Sequence, residues 1–320
     1  MDKRFWRIYI GRLNRIRRHR KVKKNISYWV ILVGITGYIF PITILQAQKK
    51  PDKAILSLIQ AEKAFETDLS LRGQRLAYLN VLAEKSLVFR PEVTNGPAYY
   101  QKNTHFQGNL SWDPAWVEVS KDGYFGYSTG PYRNVLSDST QFGDYVSIWI
   151  KEPYKTKWKL FVDGGTTHPK PSSSPVQVSY PSIVTQIYPS IYPGILEQSK
   201  DILLTTDILF ATLMSTRTTV QAYEDYLTQD ARFLEDGQNP VKGRDSVLQT
   251  LGSRKGYLVF RPAASFVGYS NDLGFTHGTG DFVDINRRTH HDKKFSYLRI
   301  WRLGNDGLWR IALELRMKKD

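Results

Sequence analysis

A chain of 320 residues, 41% hydrophobic and 23% charged, has the composition of a globular protein with room for two cores, which excludes a disordered or fibrous chain. The formal charge of +15 is concentrated at one end: residues 1–24 hold eleven Lys or Arg and one acid, leaving 34 basic and 29 acidic residues for the remainder. That mild balance excludes nucleic acid as an expected partner. The absence of Cys excludes disulfides, thiolate metal sites, Cys nucleophiles and acylated lipoprotein cysteines.

In chain order, residues 1–25 read as a basic leader and 26–48 as a signal peptide or membrane anchor. Ile26 to Leu45 carries no charge and is long enough to cross a bilayer as a helix, with Pro41 inside it. A cut near Ala47 or Gln48 favours a cleaved signal; the long charged leader suits an uncleaved anchor. Reading from Val22 gives a signal of ordinary proportions, so the first 21 residues are open to being an over-extended start. Either way the domains are expected outside the cytoplasm, periplasmic or secreted, or held at an inner membrane. Any membrane contact would run only through residues 26–45.

Next, Ile55, Leu58, Ile59, Glu62, Phe65 and Leu69 follow helical spacing, and a second short helix is predicted over Gln74 to Ala83. The segments "AWVEVS", "YFGYSTG", "DYVSIWIK" and "WKLFVDGG" have strand length and are separated by turn residues. Helices followed by an antiparallel meander indicate an α+β unit with helices on one face of a curved sheet. In "YVSIWI" both alternating sets are mainly apolar, so the strand is expected to be covered on both faces. Residues 168–200 form a Pro-, Ser- and Tyr-rich linker.

The unit then repeats. "LSWDPAWVEVSKDGYFGYSTG" (110–130) is matched by "LVFRPAASFVGYSNDLGFTHGTG" (258–280), and "YVSIW" from Tyr145 by "YLRIW" from Tyr297. Trp158 pairs with Trp309, and Ala77-Tyr78 with Ala222-Tyr223. Residues 49–167 and 201–320 are therefore tandem copies, expected to pack as an intramolecular pseudo-dimer. The repeat also disposes of Gly126-Tyr127-Ser128-Thr129-Gly130, which spells the G-x-S-x-G of a serine-hydrolase elbow. Ser128 falls opposite Gly278, and no helix follows Gly130.

The ordered set "AEKAF", Leu87-Val88-Phe89-Arg90-Pro91, "NGP" (95–97), "LSWDP", "GYFGYSTGPY", "YVSIW" and "WKLFVDGG" resembles the NTF2-like superfamily, in its SnoaL-like and DUF4440 branch. So do "DARFLEDGQNPVKGRD", "DLGFTHGTG", "YLRIW" and "WRIALE" in the second copy, the two together covering about residues 54–168 and 201–316. The resemblance implies two cone-shaped α+β (cystatin-like) domains with a pocket between helices and concave sheet. It also implies relatives that include ketosteroid isomerase-like and cyclase-like enzymes and many proteins without demonstrated activity.

Candidate chemistry follows strand phase. Phe125, Tyr127 and Thr129 share a face, as do Phe275, His277 and Thr279, and that face is expected to line the pocket with Tyr127 and His277 as proton donors. Asp163 and Glu314 occupy matched positions as possible bases, and His277, Asp281 and Asp284 make the second copy the preferred active one. Trp112, Phe125, Trp149, Phe275, Tyr297 and Trp301 are the candidate pocket aromatics. Arg90 and Arg261 are candidates for an anionic ligand or for ion pairs. The histidines, including His290 and His291, lack metal-ligand spacing, and no Gly-rich strand–helix junction appears, so no metal and no cofactor are expected. The expectation is an exported protein binding a small apolar or aromatic molecule. The alternatives are a cofactor-independent isomerase, cyclase or dehydratase acting by proton transfer, and a non-catalytic envelope interaction protein.

Overall fold

Apolar residues at every third or fourth position make α1 (Lys53–Arg72), and the Asp52 side chain starts it by accepting from the Ala54 N–H at 3.0 Å. Its buried stripe is Ile55, Leu58, Glu62, Phe65 and Leu69. Gly73 ends it at φ 79°, a backbone region hostile to side chains, and starts α2 (Gln74–Val81). Leu82 then turns extended, two residues before the helix end expected from the sequence, because it opens β1 (Leu82–Phe89). The computed structural model describes residues 52–90, 92–152, 155–171, 177–181, 193–284 and 293–319. Residues 1–48, on which the expected leader and signal or anchor fall, and His290-His291 lie outside them. No described helix is long and apolar enough to cross a membrane.

The first half continues with β2 (Val93–Asn95), α3 (Gly96–Lys102), β3 (Asn109–Trp112), β4 (Trp116–Val119), β5 (Phe125–Val135), β6 (Thr140–Ile150) and β7 (Lys159–His168). The second half comprises α4 (Pro193–Leu213), α5 (Thr219–Glu224), β8 (Leu227–Glu235), β9 (Gln238–Lys242), α6 (Arg244–Gly252), β10 (Gly256–Val267), β11 (Leu273–Asp284), β12 (Lys293–Leu303) and β13 (Trp309–Lys318). The sheets run β2-β1-β7-β6-β5-β3, with β4 also on β5, and β10-β11-β12-β13-β8-β9. This is the expected α+β class in two helix-on-sheet halves. One feature differs from a pure meander: β1 joins β7, and β8 joins β13, in parallel. The long connections between those strands, β2 through β6 in the first half and β9 through β12 in the second, make that possible.

Strand β6 is covered on both faces, as its two apolar sets require. Tyr145 and Trp149 join Leu58, Phe65 and Trp112 in the first helix–sheet core. Val146 and Ile148 join Phe125, Tyr127, Phe275, Leu298, Ile300 and Leu315 in a core shared by the two sheets. Two polar devices fix that contact. Asp122 accepts the Ser270 N–H while Asp272 accepts the Lys121 N–H at 3.0 Å, a reciprocal exchange between matched turns. Glu118, fully buried, takes both arms of Arg302 at 2.6 Å and the Tyr127 hydroxyl at 2.9 Å. Part of the linker is docked as well, Ser179 pairing with Ala115 and Val117 beside β4.

Candidate functional site

Strand pairing fixes which residues of the two halves correspond. Ser147 faces Asp163, and Tyr145 faces Gly165, across β6 and β7; Arg299 faces Glu314, and Tyr297 faces Arg316, across β12 and β13. Helix spacing adds Glu62 with Asp207, and Tyr78 with Tyr223. The two cones thus share a skeleton of two carboxylates and two tyrosines. They differ in what lies between.

In the first half there is a cavity of about 360 Å³, lined among others by Phe65, Tyr78, Arg90, Trp112, Tyr132, Tyr145, Ser147 and Asp163. Asp163 accepts from Tyr78 Oη at 3.1 Å and Ser147 Oγ at 3.3 Å, and pairs with Arg90, which also donates to Tyr100 Oη at 3.1 Å. Behind the wall, the buried Glu62 accepts from Trp149 Nε1 at 2.7 Å, Trp112 Nε1 at 3.0 Å and Ser128 Oγ. Burial pushes its carboxyl up to about 7, against those three bonds, which favour the anion; the charge of Asp163 raises it further. Tyr145 sets its hydroxyl beside Ser128 without a hydrogen bond of good geometry, a buried polar atom left over in the cavity wall. The second half supplies Asp236 and Met317 to the same cavity. Burial, with the Asp236 carboxylate adding, moves the Tyr132 phenol up to about 12.

In the second half the equivalent space is filled. Arg299 donates to Glu314 at 2.7 Å and pairs with Asp207, its guanidinium 3.9 Å from the Phe260 ring centre. Arg316 donates to Glu314 and to Tyr223 Oη, each at 2.6 Å. Tyr297 Oη donates to Asp207 at 2.8 Å. Burial alone would raise Glu314; the two guanidiniums instead hold it down to about 2.

The structure places the sequence candidates as follows. Asp163 and Trp112 line the first-half cavity, and Trp149 stands behind it on Glu62. Tyr297 and Trp301 lie in the filled core of the second half, Trp301 donating to Thr276 at 2.8 Å. Phe125, Tyr127 and Phe275 face the other sheet rather than either cone. His277 sits on that side too, edge-on to Phe89 at 6.1 Å, where burial lowers its imidazole. Asp281 pairs with Arg261 at 2.6 Å. The expected phase of β5 and β11 is therefore turned over: the concave face carries Gly126 and Ser128, where an added Cβ at Gly126 would lie 2.9 Å from Leu58 of α1. The register expected from the repeat is corrected there too: Ser128 pairs with Ser147 and Thr276 with Arg299, so Thr276 rather than Gly278 stands opposite Ser128, and Thr129 rather than Tyr127 opposite His277. Ser128 does belong to the site, as a donor to Glu62. The sequence reading assigned no role to Glu62, although a carboxylate on an apolar helical stripe, repeated as Asp207, was visible as a signal.

No family model and no curated protein matches the chain. Among solved structures it is similar to a ketosteroid isomerase-like protein from Erwinia carotovora atroseptica SCRI1043, at 16% identity and TM-score 0.31, covering 40% of this chain and 95% of that one. It is also similar to an NTF2-like protein from Cytophaga hutchinsonii ATCC 33406, at 19% identity and TM-score 0.31, covering 37% and 97%. A third is an NTF-2 like protein of unknown function from Shewanella oneidensis MR-1, at 19% identity and TM-score 0.30, covering 34% and 95%. These are likenesses of fold. Each half lays helices on its sheet, as the sequence resemblance implies, and the SnoaL-like and DUF4440 branch rests on the sequence motifs alone.

Proposed function

We propose that the first half binds a small, flat, largely aromatic or apolar molecule carrying a polar group, and that the second half lacks a cavity for it. One observation carries this reading: Ser147 and Gly165 leave open a cavity of about 360 Å³ where Arg299 and Arg316 fill its counterpart. Cavities of that size hold small organic ligands, and Trp112, Tyr78 and Tyr132 line this one beside the polar Arg90–Asp163 pair. The test introduces the second half's own plug. Ser147→Arg places a guanidinium between Glu62 and Asp163, as Arg299 lies between Asp207 and Glu314, so the variant is expected to fold. Titration with 2-naphthol, read by tryptophan fluorescence, should saturate at one per chain in the parent protein and vanish in S147R. Native mass spectrometry on protein from its own host should show a bound mass that S147R lacks. Failure to find either ligand, or equal binding by S147R, would overturn the reading.

A second reading, proton transfer without a cofactor, is favoured by Glu62, a carboxyl pushed up to about 7 and bonded by Ser128 behind the wall, with the unpartnered Tyr145 hydroxyl in the cavity lining. A cavity ketone such as 2-tetralone should exchange its α-protons with D₂O in the parent and lose catalysed exchange in both Glu62→Gln and S147R; equal exchange in E62Q would remove Glu62 from the chemistry. Export remains part of the proposal on the uncharged run from Ile26 to Leu45, and fractionation of the host, with mapping of the mature N-terminus, tests it.

A further inference from the structure

The mouth of the filled second cone is a cleft of about 510 Å³ with a different chemistry. The first-half cavity is lined by one cation, Arg90, and two carboxylates. The cleft is lined by six cations and three carboxylates. Two of those carboxylates are already engaged: Glu235 receives both arms of Arg254, at 2.9 and 2.5 Å, and Asp236 accepts backbone N–H groups of Thr167 and Lys318, at 2.8 and 2.7 Å. Lys255, Lys293, Lys294 and Lys318 make no ion pair among the described residues.

A second, independent observation lies at the floor. Arg316 is 1% exposed and lines the cleft, and its Nη1 has no hydrogen-bond partner, with Glu235 Oε1 3.6 Å away. That nitrogen ion-pairs with Glu235 at 3.6 Å but makes no hydrogen bond, which is unfavourable for a buried charged donor, and an oxyanion oxygen is an acceptor that completes it. At matched strand positions the first half has neutral Gln141, Gly165 and Thr167 where the cleft has Lys293, Arg316 and Lys318. The basic lining is therefore particular to this mouth.

We propose that the mouth of the second half binds a phosphate-type oxyanion, received by Lys255, Lys293, Lys294 and Lys318 at the rim and by Arg316 at the floor. This site is separate from the aromatic cavity and does not depend on its reading. Calorimetry with sodium pyrophosphate at low ionic strength should show one site per full chain, weakening as salt is raised. The double variant Lys255→Gln/Lys294→Gln, at exposed rim positions, should bind about 10-fold or more weakly, one lost charge-assisted contact being worth about that factor. Arg316→Lys keeps the charge without Nη1 and should also weaken binding; if it does not fold, the rim variant decides alone. S147R, which fills the other cavity, should bind pyrophosphate normally. Vesicles of phosphatidylglycerol in phosphatidylcholine form the second arm. Capture by them with no pyrophosphate binding assigns the phosphate to a lipid headgroup, and pyrophosphate binding without capture to a free anion. No binding in either arm, or binding that the lysine variant leaves unchanged, overturns the proposal.

Discussion

The two cones share a backbone plan and a set of acids, yet one is open and the other closed. Glu62, Asp163, Tyr78 and Tyr145 correspond to Asp207, Glu314, Tyr223 and Tyr297, and two positions decide the outcome: Ser147 against Arg299, Gly165 against Arg316. Carboxylates buried in a cone must be neutralised in some way. The second half does it with guanidiniums that occupy the space a ligand would need. The first half uses one arginine at the rim, Arg90, on Asp163, and leaves Glu62 to hold its proton. Closing a cone and stabilising it are the same act here.

The largest expected effect comes from removing the plug. Arg299→Met leaves Asp207 and Glu314 facing each other with Arg316 alone against Glu314, and breaking one partner out of a buried network destabilises by about 3–5 kcal/mol. Urea unfolding should show the loss as a lower midpoint. A loss under about 1 kcal/mol would mean that the second cone admits water, contrary to its full burial of Arg299.

The next comparison is in pH. Glu62 has a folded value of about 7 against an ordinary 4.5, so between those values the folded chain keeps a proton that the unfolded chain has released. Stability therefore falls as pH rises through that window, by about 1.4 kcal/mol per unit and about 3 kcal/mol in all. Glu314 behaves oppositely. Its folded value of about 2 lies below 4.5, so its contribution is complete above the ordinary value and is lost as pH falls toward 2. Urea midpoints across pH 4.5 to 7 should fall in the parent protein and stay flatter in E62Q. Parallel slopes would show that Glu62 is ionised throughout and that the first cone holds its charge as the second does.

Much of this was legible in the residues. The repeat, the helical stripe of α1 and the double apolar face of β6 all follow from spacing, because burial imposes periods that a chain cannot hide. Even the deciding substitution stood in the alignment of "YVSIW" with "YLRIW", which sets Ser147 opposite Arg299. What was not legible was the phase of β5 and β11. Both faces of those strands are buried, so alternation alone cannot say which side meets the helices. The side carrying Tyr127 and His277 is the one that offers polar donors to a pocket, which is why the sequence points to it. The concave side is instead the one with Gly126 and Ser128, because α1 presses on it and Leu58 leaves no room for more. The position of Arg90 on Asp163 was equally out of reach, since it depends on the parallel pairing of β1 with β7.

The smallest effects test the entry to the second helix of each half, where the copies chose different solutions. Thr218 caps α5 with a complete capping box, its side chain on the Gln221 N–H at 3.3 Å and Gln221 reaching back at 3.2 Å. The matched residue in the first half is Gly73, at φ 79° and ψ 162°, with no side-chain cap; its own N–H closes α1 on Leu69. An added Cβ at Gly73 would meet nothing within 4 Å, so Gly73→Ala isolates backbone strain from crowding. That region is close to glycine-only, and the substitution should destabilise by about 1–3 kcal/mol. Thr218→Ala loses the cap with the backbone unchanged and should destabilise by about 1 kcal/mol. Thermal unfolding of the two variants ranks them. If T218A proved the worse, α5 would owe its place to its cap, whereas the burial of Tyr223 and Ala222 under α4 and α6 says that packing holds it. The expected order, glycine first, makes the turn between α1 and α2 the more exacting of the two, because its backbone at Gly73 is one only glycine adopts readily, and the residue that follows, Gln74, lines the open cavity.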